Sequence, residues 1–266
     1  MRDAMRRKWR VLQVFWRKAP TGSYRFAFTI VVNTPSQKEL TMTMTFYTNP
    51  NSRGRMVRWM LEEIGCAYET VIMDYQSSSQ ADRWGGAALA VPTMADADDR
   101  RVGFFRDVNP MGKIPALVHN GQTITETAAI CAYLAEAFPE AGLVPVAAER
   151  AAYYRWMFFA AGPLEQAVTN YRASFNPTPD QEFFFGYGNY ERTVDQLERA
   201  VLAHPFIAGE RFTAADVYVG SHIGWGLGLQ TLPPRPAFLA YAQKLTSRDA
   251  YKRAVAKDEA LLGPDD

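Results

Sequence analysis

The stretch that most constrains the fold is residues 109–138, NPMGKIPALVHNGQTITETAAICAYLAEAF. Its pattern predicts a loop, a strand over 116–119, a tight turn, a return strand over 122–125 and then a helix. The turn is Asn120-Gly121, and both residue types tolerate the positive φ that a two-residue hairpin requires. The helix opens directly out of a strand, so its unpaired N–H groups and positive dipole end favour an anionic group there.

Two polar residues, Glu126 and Thr127, stand where that helix begins. The Glu126 carboxylate suits an ammonium group, and the Thr127 hydroxyl beside free backbone N–H groups suits a carboxylate. A site with both features fits a group that carries an amine and a carboxylate together, as an amino-acid terminus does. Ile114-Pro115 comes just before the first strand of the stretch, and the proline removes one backbone donor there.

The chain ahead of this stretch predicts a further unit of strand and helix. Residues 44–48 (MTFYT) alternate as a strand does, and Ser52 is a suitable N-cap for a helix over 53–64. One apolar face of that helix carries Met56, Val57, Met60, Leu61 and Ile64. With a strand over 68–73, the order is βαβ followed by ββα. This order predicts a small α/β domain with a mixed sheet over residues 42–138.

The rest of the chain is predicted to be all-helical. A linker with one Gly and two Pro spans residues 139–148, and helical periodicity follows over 149–262. A Gly-Pro pair at residues 162–163 breaks or kinks the first of these helices. Thr213-x-x-Asp216 has the layout of a capping box, with Asp in place of the usual Glu or Gln. A buried Asp216 carboxylate needs backbone N–H partners there, so we expect it to have a folding role.

Residues 1–41 differ in composition from the rest. They carry nine Arg or Lys and two acidic residues, a charge of +7, so the remaining chain carries −6. Three interpretations are open: a nucleic-acid arm, a transit peptide, or an appended segment. Aromatic residues between the arginines favour the first, and the scarcity of acids favours the second. We expect the third, a non-structural extension, because Met42 and Met44 stand just before the first good strand.

Residues 76–105 interrupt the α/β pattern. The segment is rich in Ser, Gly, Ala and Asp and has no clear period. It is therefore predicted to be an insertion without regular structure, either a functional lid or a disordered loop. Asp96, Asp98 and Asp99 invite a calcium interpretation, but the glycine turn and terminal Glu of a calcium loop do not follow, so we do not expect calcium.

The totals argue against several functional classes. A net charge of +1 makes the whole chain a poor nucleic-acid binder, and no apolar run reaches the ~18 residues of a membrane span. The two cysteines, Cys66 and Cys131, are too few for a disulfide framework. They fit a reducing compartment and a packing role, so we expect a cytoplasmic protein. His119, His204 and His222 show no metal-ligand spacing, so we expect no metal.

Four motifs in one order resemble the soluble glutathione transferase family, bacterial type. They are SRGRMVRWMLEE, similar to the family's first helix; NPMGKIPAL, similar to the segment before its third strand, whose proline is cis; the Glu126-Thr127 pair; and residues 206–216, similar to its capping box with a buried Asp. The resemblance covers residues 44–262 apart from the insertion. It implies a thioredoxin-like N-terminal domain, an all-α C-terminal domain, and glutathione as co-substrate.

The resemblance also implies how glutathione is held. Ile114, before a cis Pro115, binds the cysteinyl backbone through its N–H and C=O, and Lys113 reaches the glycine carboxylate. Glu126 takes the γ-glutamyl ammonium, and Thr127 takes the γ-glutamyl carboxylate. Each of these residues except Glu126 also has a simpler structural interpretation. Ile114 and Pro115 then only shape a loop, Lys113 is a solvated side chain, and Thr127 is a helix cap.

In the family the residue that activates the thiol follows the first strand, as Tyr, Ser or Cys. Spacing back from the helix places Ser52 or Asn51 near the serine-type position, with Arg53 where cysteine-type members carry their cysteine. We expect Ser52 first and Asn51 second, although Ser52 also fits a plain N-cap. A donor aimed at the sulfur favours thiolate and lowers the thiol pKa. No cysteine occurs in residues 49–55, which disfavours a cysteine nucleophile.

We expect the electrophile to bind between the two domains, against Tyr153, Trp156 and Trp225. Aromatic residues at helical spacing are also typical of a core. The predicted reaction is attack of the glutathione thiolate on a small hydrophobic electrophile, in a detoxifying homodimer, as the resemblance implies. Two alternatives stay open: a non-catalytic binding protein on the same scaffold, and a glutathione-dependent isomerase, dehalogenase or peroxidase.

Overall fold

The structure is a computed structural model, and it describes residues 14–18, 24–28, 43–73 and 100–262. The chain divides into two compact units, Met1–Met42 and Thr43–Asp266. In the first unit, strands β1 (Val14–Lys18) and β2 (Tyr24–Phe28) pair antiparallel. These two strands correct the expectation that the N-terminal extension is without structure.

The second unit begins with a four-stranded mixed sheet in the order β4-β3-β5-β6. Its strands are β3 (Met44–Thr48), β4 (Glu69–Ile72), β5 (Ala116–His119) and β6 (Gln122–Thr125). β3 runs parallel to β4 and antiparallel to β5, and β5 pairs antiparallel with β6. Asn120 and Gly121 turn between β5 and β6 with φ of 51° and 79°, so the predicted hairpin is confirmed.

The described residues of this region also form three helices: α1 (Gly54–Ile64), α2 (Arg100–Asp107) and α3 (Thr127–Ala137). α1 buries four of the five residues of its predicted apolar face, and it packs against α3. α2 corrects the prediction that residues 76–105 lack regular structure, because the last part of that segment is helical. The predicted calcium-like aspartates, Asp96, Asp98 and Asp99, lie outside the described residues.

The remaining elements are helical. A 3₁₀ turn (Pro139–Ala141) lies in the predicted linker, and the helices that follow are α4 (Arg150–Phe159), α5 (Glu165–Arg172), α6 (Pro179–Glu182), α7 (Tyr190–Ala203), α8 (Ala214–Gly228), α9 (Pro236–Thr246) and α10 (Asp249–Glu259). We call residues 43–137 the sheet region and residues 150–259 the helical region. The predicted fold, a thioredoxin-like sheet followed by helices, is confirmed. Of the helices in the described ranges, none is long and apolar enough to cross a membrane.

Two local predictions in the helical region are refined. The predicted break at residues 162–163 is a π-helical turn, Ala160–Leu164, that joins α4 to α5. Proline lacks an N–H, and the wider turn lets the helix continue through it. Residues 179–203, within the stretch predicted to be helical, form two helices. Thr178 caps α6 with a full capping box, and the Asn189 side chain caps α7 by accepting the Arg192 N–H at 2.8 Å.

The predicted capping box at the start of α8 is confirmed. Asp216 Oδ2 accepts the Thr213 N–H at 2.7 Å, and Oδ1 accepts the Ile207 N–H at 2.8 Å and the Tyr241 hydroxyl at 2.5 Å. Burial raises the pKa of Asp216, and these hydrogen bonds act in the opposite direction. The carboxylate therefore ties the 206–213 loop and α9 to α8, which is the folding role that the sequence predicts.

Candidate functional site

Three loops meet at one edge of the sheet. β3 and β5 are antiparallel, with Tyr47 opposite Ala116, so the loop after β3 lies beside the loop before β5. β6 ends with Thr125 opposite the same Ala116, which brings the start of α3 to this edge as well. We call the three segments 49–53, 113–115 and 126–127 the edge site. Strand register therefore gathers the predicted residues before β5 and at α3 with those after β3.

The loop before β5 is held by a residue that the sequence pattern did not single out. Buried Asn109 donates from Nδ2 to the Lys113 carbonyl at 2.7 Å, and its Oδ1 accepts the Met111 N–H at 3.1 Å. The Ile114-Pro115 peptide bond is cis, as the resemblance implies. Within the described ranges, no hydrogen bond joins the Ile114 backbone to another residue. Its N–H and C=O are thus available to an extended peptide.

The start of α3 has an unusual backbone. Glu126 has φ 68° and ψ 118°, a positive φ that residues other than glycine seldom adopt. Its carboxylate is exposed, while Thr127 is buried. The Glu126 carbonyl accepts the Ile130 N–H at 2.9 Å, so the N–H groups of the first helical turn point outward from the N-terminus of α3. A strained backbone at an anion-binding terminus is typical of a functional site.

The loop after β3 gives the two predicted activating residues different surroundings. The Ser52 side chain is buried, at 2% exposure, and its hydroxyl donates to the Asn49 carbonyl at 2.7 Å and accepts the Gly54 N–H at 3.0 Å. Asn51 is exposed. A Cβ at Gly54 would lie 1.8 Å from Thr48 Oγ1, so the loop lies this close to β3 only with glycine there. As placed, Ser52 shapes the loop and Asn51 faces solvent.

An ion pair links this loop to the helical region. Arg53 donates from Nε and Nη2 to the Glu165 carboxylate, with side chains 37% and 27% exposed. His222 lies on the other side of this carboxylate, with Nδ1 3.6 Å from Glu165 Oε2. Burial lowers the pKa of His222 to about 4, although Glu165 acts in the opposite direction. The sequence pattern did not reveal this cluster, because 112 positions separate Arg53 from Glu165.

The helical region holds Glu165 and His222 in defined positions. Glu165 follows directly on the π-helical turn, and turns of this kind are frequent at functional sites. The Tyr218 ring meets His222 edge-on, with ring centres 4.7 Å apart. His222 Nε2 is buried and has no hydrogen-bond partner in the part of the chain that the structure describes. A neutral, buried imidazole therefore stands behind the carboxylate that binds Arg53.

The aromatic residues predicted to bind the electrophile lie in different surroundings. Tyr153 is buried and lines a pocket of about 250 Å³ between α3 and α4. Trp156 is buried and meets Phe159 edge-on at 5.2 Å. Trp225 lines a cleft of about 340 Å³ between α1 and α8 to α10, together with Trp59. Among the described residues these three share no single pocket, which favours the core interpretation for Tyr153 and Trp156.

The two cysteines are not placed as nucleophiles. Cys131 is fully buried, and burial raises its thiol pKa to about 12. Cys66 is partly buried, and burial raises its thiol pKa as well. A raised pKa leaves little thiolate, which is the reactive form. In the described ranges, no cluster of three His, Cys, Asp or Glu side chains is placed to hold a metal ion.

Known proteins resemble this chain in sequence and in fold. A family model described as "Glutathione S-transferase, N-terminal domain" matches residues 52–137. Glutathione S-transferase GstA of Escherichia coli O157:H7 is 28% identical over 156 residues, which span 57% of this chain and 76% of that protein. A glutathione transferase from Methylococcus capsulatus shares the fold with a TM-score of 0.61 and 26% identity, covering 82% of this chain and 100% of that one. Residues 52–137 thus match the glutathione S-transferase N-terminal domain, and the chain resembles soluble glutathione S-transferases in sequence and fold.

Relatives within the glutathione S-transferase family carry different functional names. A sphingomonad glutathione S-transferase solved in complex with glutathione has a TM-score of 0.60 at 24% identity, over 81% of this chain and 98% of that one. Disulfide-bond oxidoreductase YghU of Escherichia coli K12 is 26% identical over 219 residues, 79% of this chain and 71% of that protein. This similarity supports a glutathione-dependent enzyme in general and does not select the reaction.

Proposed function

We propose that the protein is a glutathione transferase, which joins the sulfur of glutathione to a small hydrophobic electrophile. The observation that carries this proposal is the edge site, where the free backbone of Ile114 lies at the same sheet edge as the Glu126-Thr127 helix mouth. The first can pair with an extended peptide, and the second can hold an ammonium group and a carboxylate. A γ-glutamyl tripeptide carries all of these groups.

Each residue of the edge site has a role in this proposal. The Ile114 N–H and C=O pair with the cysteinyl backbone of glutathione, beside Pro115. Lys113, whose side chain is exposed, reaches the glycine carboxylate. The Glu126 carboxylate binds the γ-glutamyl ammonium. The Thr127 hydroxyl and the free N–H groups of the first turn of α3 bind the γ-glutamyl carboxylate.

The proposed reaction begins with loss of the thiol proton. The thiolate sulfur then attacks an electrophilic carbon, so a C–S bond forms and the bond from that carbon to its leaving group breaks. The protein contributes positioning and a lowered thiol pKa. Asn51 can turn its exposed amide toward the sulfur. Ser52 can donate to the sulfur only after releasing the Asn49 carbonyl, which makes Asn51 the more accessible of the two predicted donors.

The wider proposal follows the family. Residues 42–138 bind glutathione, and residues 149–262 bind the electrophile, with Trp225 in the interdomain cleft. The protein acts as a cytoplasmic homodimer. Size-exclusion chromatography with light scattering tests the dimer, and fractionation of the source cells tests the location.

Isothermal titration of the full chain with glutathione tests the proposal. We expect saturable binding, and Glu126→Ala should weaken it roughly tenfold or more, because a charge-assisted hydrogen bond contributes about 1.5–3 kcal/mol. Glu140→Ala is the matched control, because Glu140 is also exposed but lies in the 3₁₀ turn after α3. Absence of heat and of competition at millimolar glutathione would contradict the proposal.

A substrate panel separates the transferase from its alternatives. Turnover of aryl halides or epoxides supports conjugation, whereas activity confined to peroxides, or to isomerisation or dehalogenation substrates, supports the alternative enzymes. The similarity to a disulfide-bond oxidoreductase adds a mixed glutathione disulfide to the panel. Binding of glutathione without any turnover supports a non-catalytic binding protein on this scaffold.

A further inference from the structure

We propose that Arg53 is the residue that stabilises the glutathione thiolate, and that Glu165 positions it from the helical region. This inference rests on the proposed function, because it assigns a residue to the same thiol. Arg53 stands directly before α1 in the loop after β3, next to Ser52 and at the edge where the cysteinyl backbone would pair. It therefore lies on the segment that must supply the activating group.

The Ser52 hydroxyl already donates its hydrogen bond within the loop. The only proton of the Ser52 hydroxyl is donated to the Asn49 carbonyl at 2.7 Å, and the oxygen accepts the Gly54 N–H. Moving that proton to a sulfur would leave the Asn49 carbonyl without it. Breaking a hydrogen bond of a buried side chain in this way is unfavourable, because the carbonyl left behind loses its partner. The geometry thus commits Ser52 to holding the loop.

Arg53 keeps hydrogen-bond donors that have no partner among the described residues. A guanidinium has five N–H donors in a planar fork. Nε and Nη2 bind the Glu165 carboxylate, and Nη1 has no hydrogen-bond partner among the described residues. The side chain is 37% exposed, so Nη1 is accessible to a ligand. A free, cationic N–H pair on the activating loop suits a thiolate better than a thiol.

Glu165, in the helical region, holds the Arg53 guanidinium in place. Its contact with both Nε and Nη2 fixes the guanidinium plane, which leaves Nη1 on the opposite side. The carboxylate is itself packed between Arg53 and His222. Arginine keeps its charge across the working pH range. In the proposed step, the cysteinyl S–H bond gives its proton to water, the electron pair stays on sulfur, and Nη1 donates to that sulfur.

The test is the pKa of bound glutathione, measured from thiolate absorbance against pH in the full chain. Arg53→Met should raise this pKa by about 1 unit, the lower end of the effect of a nearby opposite charge, because Glu165 offsets part of the cation. Arg53→Lys keeps the charge without the fork and should raise it less. Arg248→Met is the matched control. Its arginine also bridges the two regions, to Glu63, but lies beyond the far end of α1, so the pKa should not move.

Glu165 is tested as a positioning residue by a double-mutant cycle. In a Glu165→Ala background, Arg53→Met should shift the pKa of the bound thiol by less than in the wild type, because the Arg53 guanidinium is no longer positioned by the Glu165 carboxylate. Equal shifts in both backgrounds would overturn the positioning role. Circular dichroism and thermal unfolding establish that each variant is folded.

The outcomes that would overturn the inference differ from those that would overturn the proposed function. Failure of the wild type to bind glutathione overturns both. Binding with a lowered thiol pKa that neither Arg53→Met nor Arg53→Lys changes overturns the role of Arg53 alone. A larger shift in Ser52→Ala or Asn51→Ala than in Arg53→Met also overturns it, and assigns the sulfur to that side chain.

Discussion

Helix α1 contacts the helical region at its start and again from Arg58 onward, and the two sets of contacts differ in burial. At the start, Arg53 and Glu165 pair while both keep contact with solvent, at 37% and 27% exposure. Farther along, Arg58 and Asp258 pair in the interior, at 2% and 1% exposure, with Nε 2.5 Å from Oδ1. Both pairs join an arginine of the sheet region to a carboxylate of the helical region.

From Arg58 onward, α1 takes part in a larger network of hydrogen bonds and ion pairs. Arg58 Nη1 also donates to Tyr68 and Thr70, and its guanidinium stacks over the Phe46 ring at 5.2 Å. Glu62 binds Lys257 at 2.6 Å. These contacts tie α1 to β3, to residues 68–70 and to α10.

The two pairs differ in burial. The buried Arg58–Asp258 pair specifies structure, whereas the partly exposed Arg53–Glu165 pair can also contact a ligand. Burial raises the pKa of Asp258, although Arg58 acts in the opposite direction. The interior pair is therefore desolvated at a cost, and its value lies in fixing how α10 docks on α1. The pair at the start of α1 has no such enclosure, so a donor of Arg53 stays accessible to a ligand.

Removing one partner of the interior pair should produce the largest loss of stability. Asp258→Ala leaves the Arg58 guanidinium buried and uncompensated. We expect the free energy of unfolding at pH 7 to fall by about 3–5 kcal/mol, as is usual for a broken buried pair. Urea unfolding followed by tryptophan fluorescence measures it. A loss below about 1 kcal/mol would mean that water reaches Arg58 and that the interior contact resembles the exposed one.

Replacing both partners is the control for that prediction. Arg58→Met with Asp258→Leu removes the buried charge as well as the bond. Most of the loss seen in Asp258→Ala should then be recovered, because apolar replacements of buried pairs are often neutral or stabilising. If the double variant is as unstable as the single one, the pair contributes attraction beyond its desolvation cost.

The start of α1 should be the more acid-sensitive of the two contacts through His222. Its pKa lies at about 4 in the folded chain, below the ordinary value of 6.5, because burial disfavours the charged ring. Because folding lowers this pKa, the unfolded chain binds the proton more readily than the folded chain. The contribution of neutral His222 to the free energy of unfolding is therefore complete above pH 6.5 and is lost as the pH falls toward 4. Glu165, Arg53 and Tyr218 are the titratable groups that face it.

The measurement compares wild type with His222→Gln at pH 7 and pH 5. The wild type should lose about 2 kcal/mol more of its unfolding free energy than the variant over this interval, by proton linkage. Carboxylates elsewhere titrate equally in both proteins and cancel in the difference. Equal losses would show that His222 is protonated in the folded chain, and that its ring pairs with Glu165 as a cation.

The smallest stability effect belongs to the partly exposed pair. Arg53→Met should lower the unfolding free energy by less than about 1 kcal/mol, because ion pairs that keep contact with water contribute little. Arg235→Met, which removes the 2.7 Å bridges to Asp195 and Glu198, provides the comparison, because all three side chains are at least 28% exposed. Urea unfolding of both variants should give similar, small losses. A large loss for Arg53→Met alone would assign the residue to structure rather than to a ligand.

Predictions from the sequence were most accurate where the structure depends on interactions between residues close together in the chain. Asn120-Gly121 turns as predicted, because these residue types accept positive φ without help from the fold. The Thr213–Asp216 capping box formed because both partners lie within one helical turn. The interruption at residues 162–163 was foreseen, but not its form, because a π-helical turn depends on how α4 and α5 pack.

The placement of Ile114, Glu126 and Thr127 at one edge of the sheet was predictable from the sequence, whereas the surroundings of Ser52 were not. Ile114, Glu126 and Thr127 belong to one short stretch whose order along the chain already places them near each other. The hydrogen-bond partner of the Ser52 hydroxyl could not be predicted from the sequence, because a serine before a helix suits both a helix cap and a sulfur donor. Only the position of the Asn49 carbonyl shows where its hydroxyl proton goes.

By itself, the sequence determined that residues 109–138 make a hairpin and a helix mouth with an acid and a hydroxyl, because turn chemistry and helix capping act over a few residues. The tertiary structure alone decided that the strand register brings this mouth beside the loop after β3. It alone decided that Arg53 meets a carboxylate 112 positions away and Arg58 one 200 positions away. Pairings at such separation depend on how helices dock, and docking is set by packing over the whole core.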